Sequence, residues 1–285
     1  MPSAPWTLPT VPTRRLWVVP LAAGLLPIAA ALGALALFVA FSAGPACNPL
    51  VDGCVSISRA ARHGVANHFF RLLILPAAVG QGLTWALCGA WLAHAGGGRD
   101  RTLRLLPWIG GAATACLVLY VMLLGTHGEP YDWARVYGIP VYFFGTYVCM
   151  VITASRGVGL VRSGPTATLC SMLLLLPALV ATGAGLVQIF VRPFLVEKIA
   201  RNQLTNALEW NTGLMFSVFF FGLAWAWYRT QRRPAARAAG SELDPESRRA
   251  RIVPLFSPPA GTPRGWPSPS RRAPIDQPRR TTSGG

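Results

Sequence analysis

Six long apolar runs separated by short polar stretches set the pattern of this chain. They extend approximately over 16–42, 69–95, 105–125, 137–155, 167–191 and 204–228. Each comes close to or exceeds the roughly 20 residues that an α-helix needs to cross the hydrocarbon of a bilayer. Clusters of Arg, Gly or Pro bound every run, and no interval leaves room for a second globular domain. The pattern predicts an all-α membrane protein, a bundle of six transmembrane helices over 16–228. A cytoplasmic segment, 1–15, precedes the bundle, and a disordered, basic Arg/Pro-rich cytoplasmic tail, 229–285, follows it.

Composition fits that pattern. Of 285 residues, 52% are hydrophobic and 13% charged, about half the ~25% charged fraction of soluble domains. The formal charge of +16 raises the question of nucleic acid, but the excess lies beside the apolar runs. Arg229, Arg232, Arg233 and Arg237 directly follow the last run, and such a juxtamembrane cluster attracts anionic lipid headgroups. The expected partners are therefore membrane lipids and not nucleic acid. The end of the tail, "SPPAGTPRGWPSPSRRAPIDQPRRTTSGG", has a composition that cannot support a packed core.

Orientation follows from Lys and Arg, which collect in cytoplasmic loops. The N-terminus, the second and fourth loops and the tail hold 19 of them; the opposite side holds 7, counting Arg71 at the start of the second run. Both termini are expected in the cytoplasm, with the protein in the plasma membrane. Trp17, Trp108, Trp225, Trp227 and Tyr228 then fall at the inner interface, where aromatic rings are favoured. "TRRLWVV" and "AGPAC" faintly resemble a twin-arginine motif and a lipoprotein cleavage site. The run 16–42 is longer than a signal h-region, so an uncleaved first helix is expected.

With this topology the unusual polar residues gather on the outer side. "CNPLVDGCVSISRAARHGVANHFFR" carries Cys47, Asp52, Cys54, Ser56, Ser58, Arg59, Arg62, His63 and His68; "THGEPYDWARVYG" carries His127, Glu129, Asp132 and Arg135. Cys47 and Cys54 are close enough in sequence for a disulfide under oxidising conditions. Cys88, Cys116, Cys149 and Cys170 lie within spans as small apolar packing residues. Ser56 or Ser58 with His63 suggests a nucleophile and a base, but no nucleophile elbow accompanies them, and capping of a short helix at "SRAARHG" is the simpler use. His63 and His68 are five apart, and no HExxH pattern is present, so no metal site is expected.

The last run contains a carboxylate, Glu209. Asn202, Asn206, Glu209 and Gly213 follow at steps of four, three and four, and so share one helix face. Glu209 lies roughly 7 Å inside the start of the run at Leu204, near the interface. The cost of burying it there is below the ~3 kcal/mol of the bilayer centre. It is expected to serve a ligand or a structural ion pair with Arg59, Arg62 or Arg201. Asp132 is expected to cap the fourth helix or to act in function.

Three stretches resemble the Frag/DRAM/Sfk family of six-span membrane proteins. They are "CNPLVDGCVSISRAA" after the first span, Asp132 between the third and fourth, and "LEWNTGLMFSVFFF" in the last. The resemblance covers the six spans and not the tail. One departure is the absence of a His after Asp132, where Val136 and Tyr137 stand; His127 precedes it. The resemblance implies lipid remodelling or lipid organisation.

Together these features predict a protein that handles or remodels lipid. It would bind a phospholipid or glycolipid headgroup in an outer-leaflet pocket formed by Ser56, Ser58, Arg59, Arg62, Asn206 and Glu209. Glu209, Asp132 and His63 are the candidates for any catalytic step, and no cofactor is implied. Arginines there suit phosphate, which the guanidinium fork matches. The alternative is a non-enzymatic membrane regulator or scaffold that presents helix faces and a basic tail to protein partners. A small-solute transporter is disfavoured, because the sequence carries no evident inverted repeat.

Overall fold

Twenty-five consecutive residues without a charged side chain form the first helix, α1, Val18–Ser42. A short α2, Ile57–Ala60, leads into α3, Gly64–Ala95, and α4, Arg101–Leu123. Next come α5, Glu129–Trp133, a π-helical turn, Ala134–Gly138, and α6, Ile139–Gly157. α7, Pro165–Leu186, continues into a second π-helical turn, Val187–Val191, and a 3-10 turn, Arg192–Phe194; α8, Lys198–Glu242, ends the series. The computed structural model describes residues 15–42, 47–95, 101–157 and 165–242. The chain divides into two units at Arg237/Ala238, and the packing described below lies within the first.

Six helices are long and apolar enough to cross a membrane. All six apolar runs therefore became helices, but several ends differ. The fourth begins at Glu129, since α5, the π turn and α6 run on without a break. The sixth starts at Lys198, because no breaker stands between Lys198 and Leu204. It also runs past Tyr228 to Glu242, so the tail begins as helix. Extending an existing helix adds one hydrogen bond per residue fixed, and the Ala and Arg residues of "RTQRRPAARAA" favour it while Pro234 opposes it. Residues 1–14 and 243–285, with the predicted disorder of the tail, lie outside the described residues.

Prolines decide where neighbouring helices dock. Pro27 has no N–H, so the Ala23 carbonyl loses its partner within α1. The buried Gln81 of α3 replaces it, donating Nε2 to Ala23 O at 3.4 Å and accepting from Tyr142 Oη of α6 at 3.2 Å. Pro107 frees the Leu103 carbonyl in α4 by the same rule, and α3 approaches there through Gly89, where a Cβ would lie 2.7 Å from Leu103 O. Pro177 frees the Leu173 carbonyl in α7; Gly222 of α8 meets it, where a Cβ would lie 3.0 Å from that oxygen.

The core follows α8. Phe219 and Phe220 pack on Trp85 of α3, Phe216 packs on Tyr142 and Phe143 of α6, and Trp227 packs on Trp91. Trp17 meets Tyr228 edge-on at 5.5 Å, so the start of α1 and this part of α8 lie at the same end. Arg71 reaches the opposite end of α4 and donates to the carbonyls of Val121, Met122 and Leu124. They lie at the helix C-terminus, where carbonyls lack i+4 partners and a cation suits the dipole; Leu124 N also reaches Val121 O, and Asn67 Nδ2 reaches Leu124 O.

Gln81→Leu is expected to destabilise the protein by about 1–2 kcal/mol, since it strands the Ala23 carbonyl and the Tyr142 hydroxyl. In a Pro27→Ala background, Ala23 O regains a helical partner. The loss there should shrink by roughly 0.6 kcal/mol or more, the scale of such coupling between membrane helices. Unfolding in mixed micelles across the double-mutant cycle measures this; strict additivity would show that Gln81 does not serve the freed carbonyl.

Candidate functional site: a loop held by α8 beside an apolar cavity

Four side chains within one and a half turns of α8 hold the backbone of the 47–58 segment. Asn206 Nδ2 donates to Gly53 O at 2.8 Å, Trp210 Nε1 to Val55 O at 2.8 Å, and Asn211 Nδ2 to Leu50 O at 2.8 Å. The fourth, Glu209, accepts from Ser58 N at 3.4 Å, and the Ile57 N–H is also directed to it. The close fit explains Gly53, which has a φ of +59° and lies against the Gln203 carbonyl, where a side chain has no room. The Cys47 and Cys54 sulfurs are bonded, with Cα atoms 6.7 Å apart, and so close the loop that α8 grips.

Glu209 therefore acts on the backbone. The first N–H groups of α2 have no partner within the helix. Ser56 caps one of them, accepting from Arg59 N at 3.1 Å, and Glu209 takes those of Ile57 and Ser58. A carboxylate at a helix N-terminus is favoured by the local dipole. No arginine comes within ion-pair distance of Glu209 among the described residues, so the expected pairing with Arg59, Arg62 or Arg201 does not form. Arg59 is exposed; Arg62 lies over the Tyr131 ring at 5.8 Å, and Tyr131 stacks on Tyr120.

Beside this cluster is a cavity of about 1020 Å³, lined mostly by apolar side chains. Ser58, Tyr120, Glu209 and Arg135 supply polar groups near the loop, while Gln81 and Tyr142 lie deeper. Ser58 is also within reach of Ser56, their hydroxyls 3.2 Å apart, and its hydroxyl faces the Tyr120 phenol. Along α8 the cavity runs from Thr205 to Ser217, a rise of roughly 18 Å. Both π-helical turns contribute to its wall, Arg135 from one and Gln188 and Ile189 from the other. Each stands just before a proline, Pro140 or Pro193, whose missing N–H lets the helical register widen.

The predicted site residues thus separate. Ser58 and Glu209 line the cavity; Ser56 and Asn206 hold the loop beside it; Arg59 and Arg62 do not line it. His63 and Asp132 are exposed and also stand away from the wall. Asp132 does not cap the fourth helix, because that helix starts at Glu129 and places Asp132 inside its first turn; the N-cap is Gly128, with no side-chain cap. Among the described residues no three His, Cys, Asp or Glu side chains gather as metal ligands. The sequence reading placed Arg135 among the outer polar residues without assigning it to the pocket, and it missed Tyr120, Trp210 and Asn211, of which Trp210 and Asn211 carried a signal as neighbours of Glu209 in "LEWN".

Glu209→Gln keeps an oxygen that can accept from Ser58 N, and its stability is expected to stay within about 0.5 kcal/mol of the parent. Glu209→Leu removes the acceptor and should cost about 1–3 kcal/mol, and Asn206→Ala about 1 kcal/mol. Unfolding in mixed micelles ranks the three. A Gln variant as unstable as the Leu variant would show that charge, and not hydrogen-bond acceptance, holds α2.

Comparison with protein-family models, curated proteins and solved structures finds no match for this chain.

Proposed function

We propose that this chain is a multi-pass integral membrane protein of the plasma membrane that binds a lipid in the cavity beside α8. Both termini face the cytoplasm. The cavity carries the reading: it is large and chiefly apolar, with Ser58, Tyr120 and Glu209 together at the loop and Arg135 also on its wall. Ligand sites are commonly apolar with a few placed polar groups, in volumes of roughly 300–1,000 Å³. A depth of roughly 18 Å along α8 compares with about half of a ~30 Å hydrocarbon core, the depth of one leaflet. The 19 to 7 distribution of basic residues supports the loop end as the outer one.

In this reading a phospholipid or glycolipid places its chains among the apolar residues and its headgroup beside Ser58, Glu209 and Arg135. Arg135 takes the phosphate-binding role expected of Arg59 and Arg62, since it is the arginine on the wall. Glu209, whose acceptor capacity is only partly used by α2, receives donors from the headgroup. The resemblance to the Frag/DRAM/Sfk family agrees with lipid handling. The scaffold alternative draws on the other half of the geometry, the tightly bonded loop on α8.

Quantitative lipidomics of host membranes tests this, with the gene deleted and then restored as wild type or Glu209→Gln at equal level. One lipid class is expected to change on deletion and to recover with wild type but not with Glu209→Gln. An unchanged lipidome throughout would overturn the lipid reading in favour of the scaffold.

A further inference from the structure

The helices around the cavity are not equally enclosed. Of the apolar window of each span, 17% is buried in α7 and its continuation, against 44% in α8. At one end α7 is held tightly to α8: a Cβ on Gly222 would lie 2.8 Å from that of Leu173. α1 is equally close there, where a Cβ on Gly24 would lie 2.9 Å from Ser217 O. Towards the loop end this contact is lost. Gly185, Leu186 and Ile189 line the cavity and are not covered by other side chains, Ile189 being 65% exposed. A Cβ on Gly185 would meet nothing within 4 Å. On α1 and α6, Leu32 and Phe144 share this double position.

From this we infer that the cavity is entered sideways, past the loop-end half of α7, and that its occupant is a lipid whose chains pass through this mouth from the surrounding bilayer. The inference rests on the lipid reading and adds a route to it. The tight glycine contacts shut the other end, and the gripped 47–58 loop covers the top, with Asn48, Pro49 and Leu50 in the lining. The π-helical turn after Leu186 widens the helix next to the mouth. Next to it Phe194 and Val196 are exposed at 82% and 95%, interleaved with the exposed Arg192, Glu197 and Lys198. Leu186 and Ile189 suit acyl chains, and Gln188, whose Oε1 is buried without a partner, is the polar side chain between them, too little to replace the hydration of a polar solute.

Gly183 and Gly185 permit a matched test. Both face open space, but only Gly185 lines the cavity, and two residues on a helix point to nearly opposite sides. The protein is purified in mild detergent and exposed to vesicles of total phospholipid from its host, then bound lipid is counted by native mass spectrometry. Wild type and Gly183→Trp are expected to hold lipid equally. Gly185→Trp should lower occupancy on the order of tenfold, equivalent to ~1.4 kcal/mol, and Leu186→Trp serves if that variant does not fold. Full occupancy in the folded mouth variants overturns side entry while leaving lipid binding intact. Equal loss in Gly183→Trp also overturns it, since bulk anywhere on α7 would then suffice. A wild type without lipid overturns the lipid reading and this inference together.

Discussion

Backbone groups buried among apolar side chains have to find their partners within the protein, and this requirement organises the rest of the structure. A lost hydrogen bond has no water to replace it there. Each proline within a span frees a carbonyl one turn earlier, and three of these carbonyls mark helix contacts: Ala23 with Gln81, Leu103 with Gly89, and Leu173 with Gly222. The 47–58 segment is not regular helix, so its backbone needs outside partners too. Asn206, Glu209, Trp210 and Asn211 supply them from α8. Glu209, odd in an apolar helix, and the prolines, odd in any helix, are thus two sides of one constraint.

Much of the fold was legible in the sequence because span length and polarity are one-dimensional. Runs of apolar residues gave the six helices without reference to partners. Their ends were not legible to the same degree. α8 starts six residues before its apolar run, because Lys198 to Gln203 is polar yet contains no breaker. The π turns before Pro140 and Pro193 were invisible, since a proline announces a disturbance but not the register that absorbs it. The shared face of Asn206 and Glu209 was correctly placed by helical spacing, which is also one-dimensional.

Partners across the bundle were harder. Glu209 looked like half of an ion pair because arginines abound in the same loop. Its actual partner is the N-terminus of α2, a backbone feature that no residue type reveals. Arg59 and Arg62 sit only one and four residues from Ser58, but Arg59 is exposed and Arg62 lies behind the wall, over the Tyr131 ring that stacks on Tyr120. Asp132 and His63 failed for a related reason: they share the end of the bundle with the site but not its cavity. Arg135 reaches the wall through a π turn, which shifts the side-chain phase relative to a regular helix.

The same residues that hold the loop also form the wall of the cavity, and this ties stability to any ligand. Ser58 gives its N–H to Glu209 and turns its hydroxyl to Tyr120, so displacement of α2 would remove a polar group from the cavity and uncover its top. A ligand that engages Ser58 and Glu209 together therefore favours the docked loop over any undocked form, and by linkage a docked loop favours the ligand equally. The Cys47–Cys54 bond shortens the freedom of the undocked form and acts in the same direction. Stability of the gripped loop and affinity for any such ligand are then one equilibrium measured from two sides, with Glu209 as the residue common to both.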